Sequence, residues 1–204
     1  MFPSHDHSGR GGRRRRNRQV PNPPSSLISY SGPIQTTSPS TATHTVGLHG
    51  RIIASVSGAT NFFLAIENDP SIAQDWSNWA SNYAEYRVLG IKVVFQPFNL
   101  KYQSTGGNVP LFGPVYVAED HTNSGTTPVS ITDVLAYGSA KCHNLMKTFV
   151  DELHMSGSEE AQFVGTSSPV TTASLLYAAG LGASVSNTFG EFFITFLVQF
   201  RNRR

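Results

Sequence analysis

The sequence predicts an all-β protein: an eight-stranded single jelly-roll sandwich, with two short helices in its connections and a disordered basic N-terminal arm. Three observations carry this expectation. Segments of period-two alternation recur between Thr45 and Arg201. Several connections between them are much longer than hairpin turns, which suits a Greek-key or jelly-roll path better than a meander. The first and last alternating segments are both long and half apolar, as they would be if they paired side by side in one sheet.

In chain order, the first strand starts at Thr45. Val46, Leu48, Ile52, Ala54 and Val56 fall on one face, with Thr45, His49, Arg51 and Ser55 on the other. Ser57-Gly58 turns the chain into a short apolar strand, Phe62 to Ile66. Asp69-Pro70 reads as a helix start, with an N-cap followed by Pro at the first helical position. Ile72, Trp76 and Trp79 then follow at i, i+4, i+7 as one stripe of a short helix. A long strand lies within Tyr83 to Phe98. Leu89, Ile91, Val93 and Phe95 share its buried face, Val88, Gly90, Lys92, Val94 and Gln96 share the other, and Pro97 closes it. Pro114 to Glu119 is the next strand. Ser130 and Asp133 have capping-box spacing ahead of Ile131, Val134 and Leu135. Leu145 to Val150 and Gln162 to Gly165 are expected as strands. In Thr172 to Leu181, the residues Ala173, Leu175, Tyr177, Ala179 and Leu181 alternate. Gly190 to Arg201 closes the set, with Phe192, Ile194, Phe196, Val198 and Phe200 on one face.

Charge divides the chain. Arg10, Arg13, Arg14, Arg15, Arg16 and Arg18 are six of its 15 basic residues, and only Asp6 opposes them in the first twenty positions. The remainder carries nine basic against twelve acidic residues and is mildly acidic. This organisation predicts a disordered arginine-rich tail over 1–20, an extended Pro/Ser/Thr arm over 21–44 and a β domain over 45–204. The tail lacks the apolar residues needed to offset ordering entropy. In the arm, Leu27, Ile28 and Tyr30 are candidate anchors on another surface. Cys142 is the sole cysteine, which excludes an intrachain disulfide or a thiolate metal cluster and suits a reducing compartment. No secretory signal or membrane-length apolar run is present, so a soluble protein without membrane partners is expected.

The tail is the main functional signal. Guanidiniums are permanently charged and hold phosphate oxygens bidentately. In a flexible segment they bind a polyanion without sequence preference and with strong salt dependence. A nuclear-localisation role for the same residues stays open. Catalytic motifs are missing: no GxSxG elbow, no phosphate-binding glycine loop, no HExxH. Cys142 and His143 are adjacent on an expected strand, so their side chains point apart and do not make a nucleophile–base pair. His5-Asp6-His7 reads as a polar tail. Trp76 and Trp79 read as core or subunit interface before they read as a base-stacking platform. Arg87 could be exposed or bridge a subunit contact. Arg201, Arg203 and Arg204 could extend a basic surface or be solvated.

Taken as an ordered set, several segments resemble the coat proteins of small icosahedral plant and invertebrate viruses. The similarity is to the shell domain of tombusvirus-like, sobemovirus-like and satellite-necrosis-type capsids, a type also found in some circular single-stranded DNA viruses. The segments are WSNWASNYAEYRVLGIKVVFQP (Trp76 to Pro97), GPVYVAED (Gly113 to Asp120), TPVSITDVLAYGSA (Thr127 to Ala140) and FGEFFITFLVQF (Phe189 to Phe200). The resemblance implies a non-enzymatic structural protein whose partners are copies of itself and a single-stranded RNA or DNA genome. About 60 copies, or a multiple, would close a virion shell in the host cytoplasm or nucleus. No projecting domain is expected after Arg201. The family's calcium-binding acidic set is only partly matched: Glu119 and Asp120 lie where such ligands sit, and oxygens from a neighbouring subunit could complete a structural calcium site. No other cofactor is implied. The alternative is a jelly-roll carbohydrate- or receptor-binding module with a basic nuclear-targeting tail. A cupin-type enzyme would need clustered His and Glu ligands that this sequence does not supply.

Overall fold

In the computed structural model, residues 43–98, 113–122 and 125–204 are described, without the side chains of 58–59 and 182–187. Seven strands and two α-helices run in the order β1 (His44–Glu67), α1 (Trp76–Asn82), β2 (Tyr83–Pro97), β3 (Pro114–Asp120), α2 (Ile131–Leu135), β4 (Lys141–Asn144), β5 (Phe149–His154), β6 (Val164–Gly165) and β7 (Ser174–Arg203). β1 and β7 pair antiparallel from His44↔Phe200 to Glu67↔Ser174, and the register shifts three times between Ala54 and Asn61. Those shifts let each strand serve two sheets. The first half of β1 and the second half of β7 join β2 and β5, in the order β1–β7–β2–β5. The other halves join β3 and β4, in the order β1–β7–β3–β4. Two four-stranded antiparallel sheets facing each other in this order form the jelly-roll sandwich that the alternation predicts.

Between the sheets lies the main core. Phe95, Phe192, Phe196, Phe200 and Tyr177 are fully enclosed, and Phe192 meets Phe95 at 4.9 Å and Tyr177 at 5.0 Å between ring centroids. Such ring pairs add about 0.5–1.5 kcal/mol each beyond their burial. A second, smaller core forms on the outer side. Val134 of α2 packs with Ala118, Leu176 and Ala178. Both faces of Ser174 to Gly180 are therefore covered, which explains why this stretch is apolar at nearly every position.

Four local expectations need correction. Val88 is not on the face opposite Leu89, because both enter the main core. Val88 pairs with Val198 and Gly90 with Leu197, so Leu89 is the extra residue of a β-bulge that resets the alternation. Leu145 to Val150 is not one strand. Lys147 N–H donates to Asn144 O (3.0 Å) and Met146 N–H to Asn144 Oδ1 (2.8 Å), making a turn that carries the chain from β4 in one sheet to β5 in the other. The helix expected from Asp69 is broken. Asp69 does accept from Ser71 N–H (2.8 Å) and cap a 3-10 turn, Pro70–Ile72, but α1 begins afresh at Trp76 and Ile72 is half exposed. Only Val164–Gly165 of the expected 162–165 strand pairs, against Glu85 and Tyr86. With β1 and β7 each serving twice, the described residues form nine strand segments where the sequence suggested eight. α2 keeps its expected start, since Ser130 Oγ accepts from Asp133 N–H while Asp133 accepts from Ser130 N–H in a complete capping box, but Leu135 of the expected stripe is half exposed.

Candidate nucleic-acid interface

Arg10, Arg13, Arg14, Arg15, Arg16 and Arg18, together with the arm anchors Leu27, Ile28 and Tyr30 and the His5-Asp6-His7 segment, lie outside the described residues. What the structure supplies is the point where that segment joins the body. His44 opens β1, the outermost strand of its sheet, directly opposite Phe200. Across the same ladder Arg201 faces Glu85 and Arg203 faces Tyr83. Adjacent strands lie about 4.8 Å apart, so the chain enters the body at His44 beside the end of β7 that carries Arg201 and Arg203.

This end of the sheet is built around Phe163. The guanidiniums of Arg87 and Arg201 both lie over its ring, at 4.5 and 4.0 Å from the centroid. Arg87 donates from Nε (2.8 Å) and Nη2 (2.6 Å) to Gln199 Oε1, and Arg201 Nε donates to Glu85. Gln199 in turn donates to Thr45 Oγ1 at 3.1 Å. Arg87 is neither exposed nor left waiting for a neighbour, being only 4% exposed on the outer face of its own sheet. Asn202 adopts φ 57°, a left-handed conformation that Asn tolerates better than most residues. Beyond it, Arg204 N–H donates to Asn82 O (2.9 Å), and Arg204 Nη2 donates to Thr166 Oγ1 (3.4 Å). Arg203 and Arg204 are exposed.

Glu119 and Asp120 sit together at the end of β3 but point to different partners. Asp120 is buried, and its Oδ1 accepts from the Thr122 N–H (2.9 Å) and hydroxyl (2.6 Å). Burial first, then the Asp120 charge, pushes the neighbouring Tyr137 phenol up. Glu119 instead accepts from Lys141 Nζ (3.1 Å) and stands 3.8 Å from His121, whose other nitrogen meets Glu160 at 3.0 Å. Among the described residues no group of three or more His, Cys, Asp or Glu is arranged to hold a metal ion.

Trp76 is core, and Trp79, partly buried, packs against it. Trp76 packs on Tyr86 (4.7 Å) and Trp79 stacks on Phe200 (5.2 Å), closing the end of the sandwich. Cys142 is exposed on β4, while His143 turns inward to Asp151. Phe163, Gln199 and Asp151 escaped the sequence reading. Asp151 could have been found: once β5 is placed at Phe149–His154, it occupies an inward slot between Phe149 and Leu153, where a charge demands a partner. An open groove of about 470 Å³ beside α2 is lined by Thr127, Pro128, Val129, Tyr137 and Leu176. Its one carboxylate, Asp133, is held by the capping box. No helix among the described residues is long and apolar enough to cross a membrane.

On the outer face of the β1–β7–β2–β5 sheet, Phe193 pairs with Val94 and Val94 with Val150. Phe193 and Val150 are roughly half exposed, as is Ile53 nearby. An apolar stripe thus crosses that face.

No protein-family model and no curated protein matches the sequence significantly. Its structure is similar to solved viral particles. The virus-like particle of the giant freshwater prawn Macrobrachium rosenbergii nodavirus aligns with TM-score 0.58 at 10% identity, over 82% of this chain and 97% of that one. Cocksfoot mottle virus aligns with TM-score 0.60 at 10% identity, over 80% and 97%. The 60-mer BFDV capsid protein aligns with TM-score 0.56 at 11% identity, over 79% and 95%. At these identities the similarity establishes the fold: the body is a single jelly roll of the kind seen in those viral particles.

Proposed function

We propose that this chain is a structural capsid protein that assembles with copies of itself into an icosahedral shell and packages single-stranded nucleic acid. The observation that carries the reading is the joining, in one chain, of a jelly-roll body like that of solved viral particles to six arginines in the first twenty residues. In this reading the work of the body is to tile. Burial of exposed apolar surface, such as the Phe193–Val94–Val150 stripe, would favour subunit contacts, while the arginines neutralise the phosphates that the shell must confine. With about 60 copies the tails would bring on the order of 360 positive charges inside. The product belongs in a virion, assembled in the host cytoplasm or nucleus. An inter-subunit calcium would use Glu119 and draw it from Lys141, because the Asp120 carboxylate is already occupied.

Sedimentation of the purified protein tests assembly. Megadalton particles are expected; a monomer that persists with and without single-stranded nucleic acid overturns the reading. Deleting residues 1–20 tests the tail. Particles should then lose their nucleic acid while the β body still folds, and undiminished nucleic acid would refute the packaging role.

A further inference from the structure

We infer that the end of β7 is a second, folded phosphate contact for single-stranded nucleic acid: Arg203 and Arg204, backed by Arg201 and Arg87, extend onto the body the binding that begins in the N-terminal tail. The inference rests on the packaging reading above and adds a site to it.

Charge placement is the first support. The described residues hold eight Lys and Arg against twelve Asp and Glu, so the body as a whole repels a polyanion. Yet four of those eight cations, Arg87, Arg201, Arg203 and Arg204, gather at one end of one sheet. The register there brings in a single carboxylate, Glu85, which is paired to Arg201. A compact positive spot on an acidic body focuses the local field and selects where a phosphate chain lands.

Rigidity is the second support. Solvated arginines at the end of a floppy segment would lose rotamer and backbone freedom on binding. Here the ladder holds the backbone: Arg203 pairs with Tyr83, and Arg204 N–H is bonded to Asn82 O. Arg201 and Arg87 are fixed in turn by Phe163, Glu85 and Gln199. Exposed cations displayed from a fixed frame bind at a smaller ordering cost.

Continuity is the third. His44 lies opposite Phe200, so the chain that carries the tail enters the body at the same end of the sheet as Arg201 and Arg203. Nothing in this geometry reads base edges. The contact is to backbone phosphate and should be indifferent to sequence.

The test measures binding of a fluorescent oligo-U of about 20 nucleotides to the full chain between about 50 and 300 mM NaCl, where each single-strand phosphate contact contributes about 0.7 to the log–log salt slope. The double variant Arg203→Gln/Arg204→Gln should lower the slope by about 1.4 and the affinity at 0.1 M salt roughly 25-fold. Arg203→Lys/Arg204→Lys should restore both, and Lys147→Gln, an exposed cation in the β4–β5 turn, should change neither. Thermal melts of all variants must superimpose within a few degrees, which separates lost contacts from lost folding. If Arg13 to Arg16 changed to Gln weakens binding while the double Arg203/Arg204 variant matches the parent, the second contact is refuted and packaging by the tail stands. If the parent shows no salt-dependent binding, the packaging reading itself falls, and this inference with it.

Discussion

His143 Nε2 lies 2.9 Å from Asp151 Oδ1, and this contact ties the two sheets of the sandwich together. His143 is on β4 and Asp151 on β5, which belong to different sheets. The carboxylate is 3% exposed, and its second oxygen receives the Tyr177 hydroxyl at 3.4 Å, again across the gap. The His143 ring is held flat against Phe149, 4.4 Å between centroids. Asp151→Ala would leave the buried Tyr177 hydroxyl without this acceptor and is expected to cost about 2–4 kcal/mol. Asp151→Asn keeps the shape and part of the bonding, so it should cost clearly less. Urea unfolding measures both, and a loss below ~1 kcal/mol for the alanine variant would show that the bridge is dispensable.

Gly190 faces the core where no side chain fits. A Cβ there would stand 2.5 Å from Phe95 Cζ and 2.7 Å from Gln96 O. Phe95 is wedged between Phe149 and Phe192 and cannot retreat. Gly190→Ala should therefore destabilise by about 2–3 kcal/mol, whereas Gly138→Ala, with open space around it, should stay within ~0.5 kcal/mol of the parent. Equal midpoints for the two variants would contradict this packing.

Tyr86 predicts an alkaline limit. Burial pushes its phenol up to about 12, against the smaller lowering by the Val170 N–H that donates to it, and burial with the Asp151 charge raises Tyr177 as well. Both groups keep their protons in the folded state after the unfolded chain has released them. Their stabilisation is complete below pH 10, the ordinary value, and declines above it, for Tyr86 until about pH 12. Absorbance titration near 295 nm should show two of the seven tyrosines ionising only as circular dichroism reports unfolding. Early, non-cooperative ionisation of all seven would rule this out.

The capping box of α2 is a local test. Ser130→Ala removes the acceptor of the Asp133 N–H and should cost about 1 kcal/mol. Separate bonds donated to the Asp133 carboxyl, by the Ser130 side chain and by the Val129 and Ser130 N–H groups, hold it below its usual range. Its contribution is present above the ordinary carboxylate value and is lost as pH falls through the lower folded one. Amide exchange at Ser130 and Asp133 should accelerate in the variant at neutral pH and in the parent only in acid. Unchanged exchange in both would remove the box from the stability of α2.

Much of the body was legible because period two is a direct record of a two-faced sheet. Phe192, Ile194, Phe196, Val198 and Phe200 alternate without a break and are all buried. The capping box was legible because its bonds span three residues. Around Val88 the record failed, since a bulge adds a residue without leaving any mark in composition. Near Leu145 it failed for another reason: an apolar residue that plugs a corner looks the same as one inside a strand. Arg87 was ambiguous until Phe163, 76 positions away in the chain, came to lie under its guanidinium.

Alternation, turn residues and clustered charge by themselves determined a two-sided β body with a separate cationic leader, because each is an interaction between near neighbours in the chain. Only the folded arrangement decided which strand halves share a sheet, that Asp151 bridges the two layers, and that Arg201 and Arg203 stand at the end of the sheet where β1 begins. The first and last of these depend on register between strands more than a hundred residues apart, such as His44 against Phe200. That register is settled by how the whole core packs, which no local stretch encodes.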